Sequence, residues 1–322
     1  MSREKRRLHE KKHGFYHGFS RVGGQKKGYY PFEDSREREF FAAHLSHLSS
    51  FFFVYVGFYA FMGNHFHLLL EMLNEANFSD IEVQIRWESY YARDLATGKR
   101  QRPDWKDPAV VAAIRKRMMN PSDFLHDLKG QFAQEYNHRH DLRGSFWAGR
   151  FGLTVLDESA VATCARYIEL NPLRAGIEEK VGASGRNSWH DFDKSCEGRE
   201  RDFRKHPGFK ILVKALHPHP DQALSPGEEF ELAMKTYAAW REGFDAEEKR
   251  LAEERREAAL AKAEKRATEV ITSRRRSFFD AMVVGELSFC RRMASAWGRG
   301  NTEPVLLAPG LYGIYRRERQ RV

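Results

Sequence analysis

The chain has few cysteines, no long apolar run and no phosphate-binding glycine loop, and each lack narrows what it does. Its 322 residues contain three cysteines, Cys164, Cys196 and Cys290, widely spaced and without a Cys-x-x-Cys pair. Neither a disulfide framework nor a thiolate zinc site is indicated, and a reducing, cytoplasmic compartment is expected. The longest apolar run, around Phe51 to Met62, falls short of the roughly 20 residues that span a bilayer, so no membrane segment is expected. The stretch from Met1 to Lys12 is charged and lacks the apolar core of a signal peptide. No Gly-x-x-x-x-Gly-Lys loop is present, which argues against a helicase-linked replication protein.

What the chain does have is an apolar content of 41%, enough for a sizeable core, and a net charge of +9. A positive field favours polyanions, because lysines and arginines that neutralise phosphates release counterions on binding. A basic protein with no nucleic-acid role fits the charge equally well.

Periodicity outlines a domain over residues 13–190 behind a basic tail, 1–12. Tyr16 to Val22 reads as a strand. Glu33 to Glu39 carries capping signals ahead of Phe40, Phe41, Leu45 and Leu48, which repeat at helical spacing. Phe52 to Ala60 and His65 to Met72 read as a hairpin turning at Met62-Gly63-Asn64, rich in aromatic and β-branched residues. After an interruption, Asp123 to Asn137 is amphipathic through Phe124, Leu125, Leu128, Phe132 and Tyr136. Phe146 to Leu156 alternates as a fourth strand. The order βαββαβ predicts an α+β, ferredoxin-like fold: one antiparallel sheet with helices on one face, plus added C-terminal helices.

Two short strings carry the chemistry. In Gly63-Asn64-His65-Phe66-His67-Leu68-Leu69-Leu70-Glu71 the strand period of two turns His65 and His67 to one face and Phe66 and Leu68 to the other. In Arg166-Tyr167-Ile168-Glu169-Leu170-Asn171-Pro172 the residues Tyr167 and Asn171 are four apart, one helical turn from each other on a shared face. Pro172 disfavours helical geometry at Asn171, so the helix is expected to end there.

These strings resemble those of the REP-associated tyrosine transposases, within the HUH single-tyrosine nucleases, with Gly63 in place of the family's usual proline. The resemblance continues in Phe132-Ala133-Gln134-Glu135-Tyr136-Asn137-His138-Arg139, in Gly144-Ser145-Phe146-Trp147-Ala148-Gly149-Arg150-Phe151 and through Leu173-Arg174-Ala175-Gly176. It covers about residues 14–73 and 121–190, in the family's order. The resemblance implies a single-stranded DNA endonuclease and strand transferase, acting near hairpins through a 5′-phosphotyrosine link with a divalent cation. It implies that Tyr167 is the nucleophile and that His65, His67 and Asn171 hold the metal, with the tyrosine helix brought toward the histidines.

The residue types suit that chemistry. Two imidazoles and an amide oxygen leave coordination positions open for phosphate oxygens and water, and the mixed donor set points to Mg²⁺ or Mn²⁺, with Mn²⁺ the tighter. A phenol, with an ordinary pKa of about 10, needs a nearby cation to become a competent nucleophile at neutral pH. Arg143, Arg150 and Arg174 are candidate phosphate contacts, and Trp147, Tyr136 and Phe146 are candidate stacking residues for unpaired bases. Core packing or solvation accounts for each of these equally well. The expected partner is single-stranded or hairpin DNA, bound by a monomer or homodimer. A non-catalytic single-strand-binding module and a rolling-circle-type replication initiator are the competing readings.

Residues 74–120 form an insertion with Trp87, Trp105 and the basic runs Lys99-Arg100-Gln101-Arg102 and Arg115-Lys116-Arg117, either a lid or a packed decoration. Residues 191–240 read as linker and helical extension, with His217-Pro218-His219-Pro220 more suited to an extended linker than to a metal tract. Residues 241–275 read as a solvated charged helix and 276–322 as a small basic helical module.

Overall fold

The computed structural model describes residues 8, 13–23, 29–74, 77–197, 205–217, 224–264, 281–297, 304–308 and 311–315. The basic tail apart from Leu8, residues 218–220 of the His-Pro tract, the end of the charged stretch and the terminal arginines lie outside the described residues.

The expected core order is present: β1 (Gly14–Arg21), α1 (Ser35–Phe51), β2 (Val54–Met62), β3 (His65–Met72), the insertion helices α2 (Asp80–Tyr90), α3 (Ala92–Ala96) and α4 (Pro108–Met118), then α5 (Pro121–Arg139) and β4 (Gly152–Leu156). The four strands lie in the order β2-β3-β1-β4 with every neighbour antiparallel, the ferredoxin-like arrangement. Local chemistry starts α1, α2 and α5. Asp34 caps α1 by accepting from the Arg36 amide, Asn120 caps α5 by accepting from Ser122, and Ser79 and Glu82 form a capping box on α2. Gly63 takes φ +33 in the hairpin turn, a conformation closed to the proline that the resemblance leads one to expect.

Strand alternation divides the side chains between two cores. Tyr16, Phe66, Leu68, Leu70 and Val155 face α1 and α5, where they meet Phe41, Leu45, Leu48, Phe124, Leu128 and Phe132. Phe15, Phe58, Leu69 and Leu156 face the other way. That second face is not open. It is covered by α6 (Glu158–Arg174), α7 (Trp189–Glu197), the helix Pro207–Leu216 and the first half of the long helix Pro226–Glu264, through Val161, Ile168, Phe192, Ile211, Tyr237 and Trp240. The added helices therefore make a second layer, because the apolar residues of β1–β4 point to both faces and both need cover.

Three further expectations are corrected. Pro172 lies inside α6, which runs on to Arg174, so Asn171 is not at the helix end. Burial of Leu170, Pro172 and Leu173 outweighs the local bias against helix before proline. In the C-terminal stretch expected to be helical, the described residues include a strand, β5 (Ala281–Gly285), and after the helix Leu287–Ala296 the strands β6 (Val305–Ala308) and β7 (Leu311–Tyr315). β5 pairs in parallel with β4, extending the sheet to β2-β3-β1-β4-β5-β7-β6. The long helix starts at Pro226, well before the charged stretch, because Ala233, Tyr237 and Trp240 give its first half a buried stripe. Residues 245–257 of its second half are largely exposed.

The insertion is a packed decoration on the α1/α5 side. Val83, Trp87 and Met118 join that core, and two of its basic residues form internal pairs: Arg115 with Asp80, Arg117 with Asp127.

Candidate metal and nucleophile site

His65 and His67 open β3 on the face opposite Phe66 and Leu68, with ring centroids 5.2 Å apart. Tyr167 comes from α6. Asp157 caps that helix, and Ala160, Val161, Cys164, Ala165 and Ile168 are buried along it, so the half-buried Tyr167 beside this stripe faces the strands. Its ring stands edge-on to His67 at 5.9 Å between centroids. Tyr167 thus stands beside His67, and His67 beside His65, although 100 positions separate His67 from Tyr167 in the chain.

A fourth ring belongs to the group and was not read from sequence. His17, on the same face of the neighbouring strand β1, lies with Nε2 2.9 Å from Nδ1 of His67 and its ring stacked on His67 at 5.1 Å. Tyr167 stands edge-on to it at 6.1 Å. A lone histidine in a strand gives no sequence signal of this kind; the contact comes from pairing that sets Phe19 opposite His67. Arg21 was also missed. It pairs in register with His65, and its charge helps to disfavour protonation of both strand-β3 histidines.

Burial dominates the electrostatics. It lowers the pKa of His17 to about 3 and, aided by Arg21, that of His65 to about 4. His67 is held well below the ordinary range by burial first, then by His17, His65 and Arg21. All three imidazoles are therefore neutral near pH 7, the protonation state in which an imidazole nitrogen can bind a cation. His65 Nδ1 lies 2.9 Å from the side-chain oxygen of Asn64.

Asn171 sits one turn beyond Tyr167, and its Nδ2 is buried without a hydrogen-bond partner. The two ends of an amide are nearly isosteric, so turning the group over places an acceptor oxygen at that orphaned position. Among the described residues no group of three or more His, Cys, Asp or Glu side chains is arranged to hold a metal. Two neutral imidazoles are a donor set of a different kind, open rather than caged, and joined by an amide such as that of Asn171 they would suit a divalent cation that shares its remaining positions with water and phosphate.

The candidate DNA contacts are scattered. Arg143 is exposed after α5, Arg150 is exposed just before β4, and Arg174 donates to Glu247 on the long helix at 2.9 Å. Tyr136, Phe146 and Trp147 are buried in the α1/α5 core, where the Trp147 indole donates to the Lys129 carbonyl at 2.9 Å.

No family model matches the chain. No curated protein matches it either. A solved structure, described as a REP-associated tyrosine transposase bound to a REP hairpin, is similar at a TM-score of 0.39 and 12% identity, over 62% of this chain and 89% of that one.

Proposed function

We propose that this chain is a metal-dependent, transposase-like nuclease that cuts and rejoins single-stranded DNA beside hairpins through a covalent link to Tyr167. The observation that carries the reading is the phenol ring of Tyr167 set 5.9 Å from the ring of a histidine pair held neutral by burial. The motif resemblance and the net charge of +9 point the same way.

In this reading the Tyr167 oxygen attacks the phosphorus. A phosphorus–Oη bond forms, the bond to the 3′ oxygen breaks, and the phenol proton is balanced by the proton gained by the departing 3′ hydroxyl; the polarity follows the family resemblance. His65, His67 and Asn171 would hold Mg²⁺ or Mn²⁺, which when bound supplies Lewis-acid neutralisation of phosphate charge and eases phenol ionisation. Arg21, in register with His65, would be a cation for a phosphate in this reading. Because the phosphotyrosine conserves the energy of the broken linkage, rejoining to a second end needs no nucleotide cofactor.

The test is incubation of end-labelled hairpin DNA bearing single-stranded flanks with Mn²⁺, read on a denaturing gel. Cleaved product and a protein–DNA adduct are expected from the native protein. Tyr167→Phe should lose both while binding DNA with unchanged affinity. An adduct that survives that substitution would falsify the assignment, and DNA binding without any cleavage would favour the non-catalytic module.

A further inference from the structure

On the α1/α5 side of the sheet, away from the histidines, a cavity of about 620 Å³ opens between α5 and the segment leading into β4. Its walls carry Lys129, Arg150 and His126, with no acidic residue among its lining, and the aromatic edges of Trp147 and Phe151. Lys129 is buried, yet its ammonium lies over both rings, 5.1 Å from Trp147 and 5.7 Å from Phe151, and donates to the Gly149 carbonyl at 2.7 Å. A concave site with cations and aromatic edges selects an anion that also carries a flat apolar part.

Two glycines on the wall have no packing reason to be glycine. A Cβ on Gly130 or on Gly149 would meet nothing within 4 Å. Gly130 lies within α5, where glycine costs about 1 kcal/mol relative to alanine. Glycine held at such a cost with open space around it suits close approach of another molecule to the backbone.

The cavity is tied to the nuclease site by the chain itself. The Ala148 amide donates to the Arg21 carbonyl at 3.0 Å, the Gly23 amide donates to the Phe146 carbonyl at 2.7 Å, and Val22 bridges to Trp147. Arg21 in turn pairs with His65. The end of β1 is thus flanked by the cavity segment on one side and by the first metal-ligand candidate on the other.

We propose that this cavity is a nucleotide subsite, holding one unpaired nucleotide of the single strand that flanks the cut phosphate, with its phosphate on Arg150 and Lys129 and its base toward Gly130. The assignment rests on the proposed nuclease reading and adds to it where the flank is gripped. A hairpin reaching the histidine face places its single-stranded flank at the shared end of β1, from which it passes the sheet end into the cavity.

Fluorescence anisotropy on the full chain tests this, with a labelled DNA hairpin carrying a six-nucleotide flank and the same hairpin blunt-ended. The native protein should prefer the flanked hairpin by about tenfold or more, the worth of a charge-assisted contact. Gly130→Trp, which projects a bulky side chain into the cavity, should abolish that preference; Gly149→Phe is a second filling variant should the first fail to fold. Gly130→Ala should keep the preference. Arg150→Gln should shallow the dependence of log affinity on log salt by about 0.7 with the flanked DNA only. A native protein indifferent to the flank, or filled variants that keep the preference, overturns the subsite. The adduct assay on native protein reports separately: loss of flank preference on filling, in a protein that forms no adduct, would retain the subsite and discard the nuclease.

Discussion

Between two neutral imidazoles a hydrogen bond needs one N–H and one lone pair, so the contact of His17 Nε2 with His67 Nδ1 decides which nitrogen of His67 is left to bind a cation. If His67 donates from Nδ1 to His17, its Nε2 keeps a lone pair and its ring is held in place, as an acceptor behind a metal-binding imidazole holds it. His17→Phe should then weaken Mn²⁺ binding by roughly 10- to 100-fold by titration calorimetry, and His17→Gln, which restores an acceptor, should recover most of it. Equal loss in both variants would assign His17 to packing alone. Phe19 bounds the same group, with its ring 5.3 Å from His17 and 6.1 Å from His67. A Cβ on Gly152 would lie 2.0 Å from the Phe19 ring, so Gly152→Ala should push that ring toward the imidazoles. The expected outcome is a loss of about 1–3 kcal/mol of stability by denaturant melting, with weakened Mn²⁺ binding.

Within α6 the residue between the nucleophile candidate and Asn171 that most constrains the helix is Glu169. It is fully buried, shares a hydrogen bond with the Ser188 hydroxyl, and accepts from the Trp189 amide at 3.0 Å, which ties α6 to the start of α7. Burial raises its pKa from 4.5 to about 8 against the opposing pull of those two hydrogen bonds. The folded state therefore prefers the protonated acid. Its contribution to stability is complete below about pH 4.5 and is lost as pH rises toward about 8, at up to about 1.4 kcal/mol per pH unit. Glu169→Gln cannot titrate, so it should flatten this slope and melt higher than the native protein at pH 8. A native stability profile already flat between pH 5 and 8 would refute the burial argument. On the other face, Glu37 of α1 receives two bonds from Arg139, at 2.8 and 2.7 Å, and lies 2.8 Å from His140 Nε2, fastening α1 to the end of α5. Glu37→Ala removes those bonds but leaves Arg139 partly open to water, and should cost about 1–3 kcal/mol in urea unfolding.

At the scale of the whole molecule, the second core decides how the protein unfolds. It draws Phe15, Phe58 and Leu69 from the early strands, Ile168 from α6, Trp240 from the long helix, and Val284 and Leu311 from the C-terminal strands. A core shared by residues so far apart in sequence cannot lose one contributor without exposing the rest, so a single cooperative transition is expected. Tryptophan fluorescence and far-ultraviolet circular dichroism should give coincident melting curves. A separate early transition would mean that β5, β6 and β7 form a unit apart from the sheet they extend.

Local patterns carried the four core strands, α1, α5, the helical course of α6 up to Asn171 and the facing of His65 and His67, because alternation and helical spacing are properties of neighbouring residues. They also named Tyr167 and Asn171, through motifs that lie together in the chain. What they could not carry was anything that depends on partners distant in sequence. His17 meets His67 only because β1 pairs with β3, and β5 adopts a strand because β4 offers it an edge. Pro172 stays helical because burial outweighs its local bias, and Trp147 is core because Phe32, Phe66 and Phe132 surround it. The sequence by itself determined which groups are candidates for chemistry; the tertiary structure decided which of them stand together, since hydrogen-bond register and apolar burial are settled between segments rather than within them.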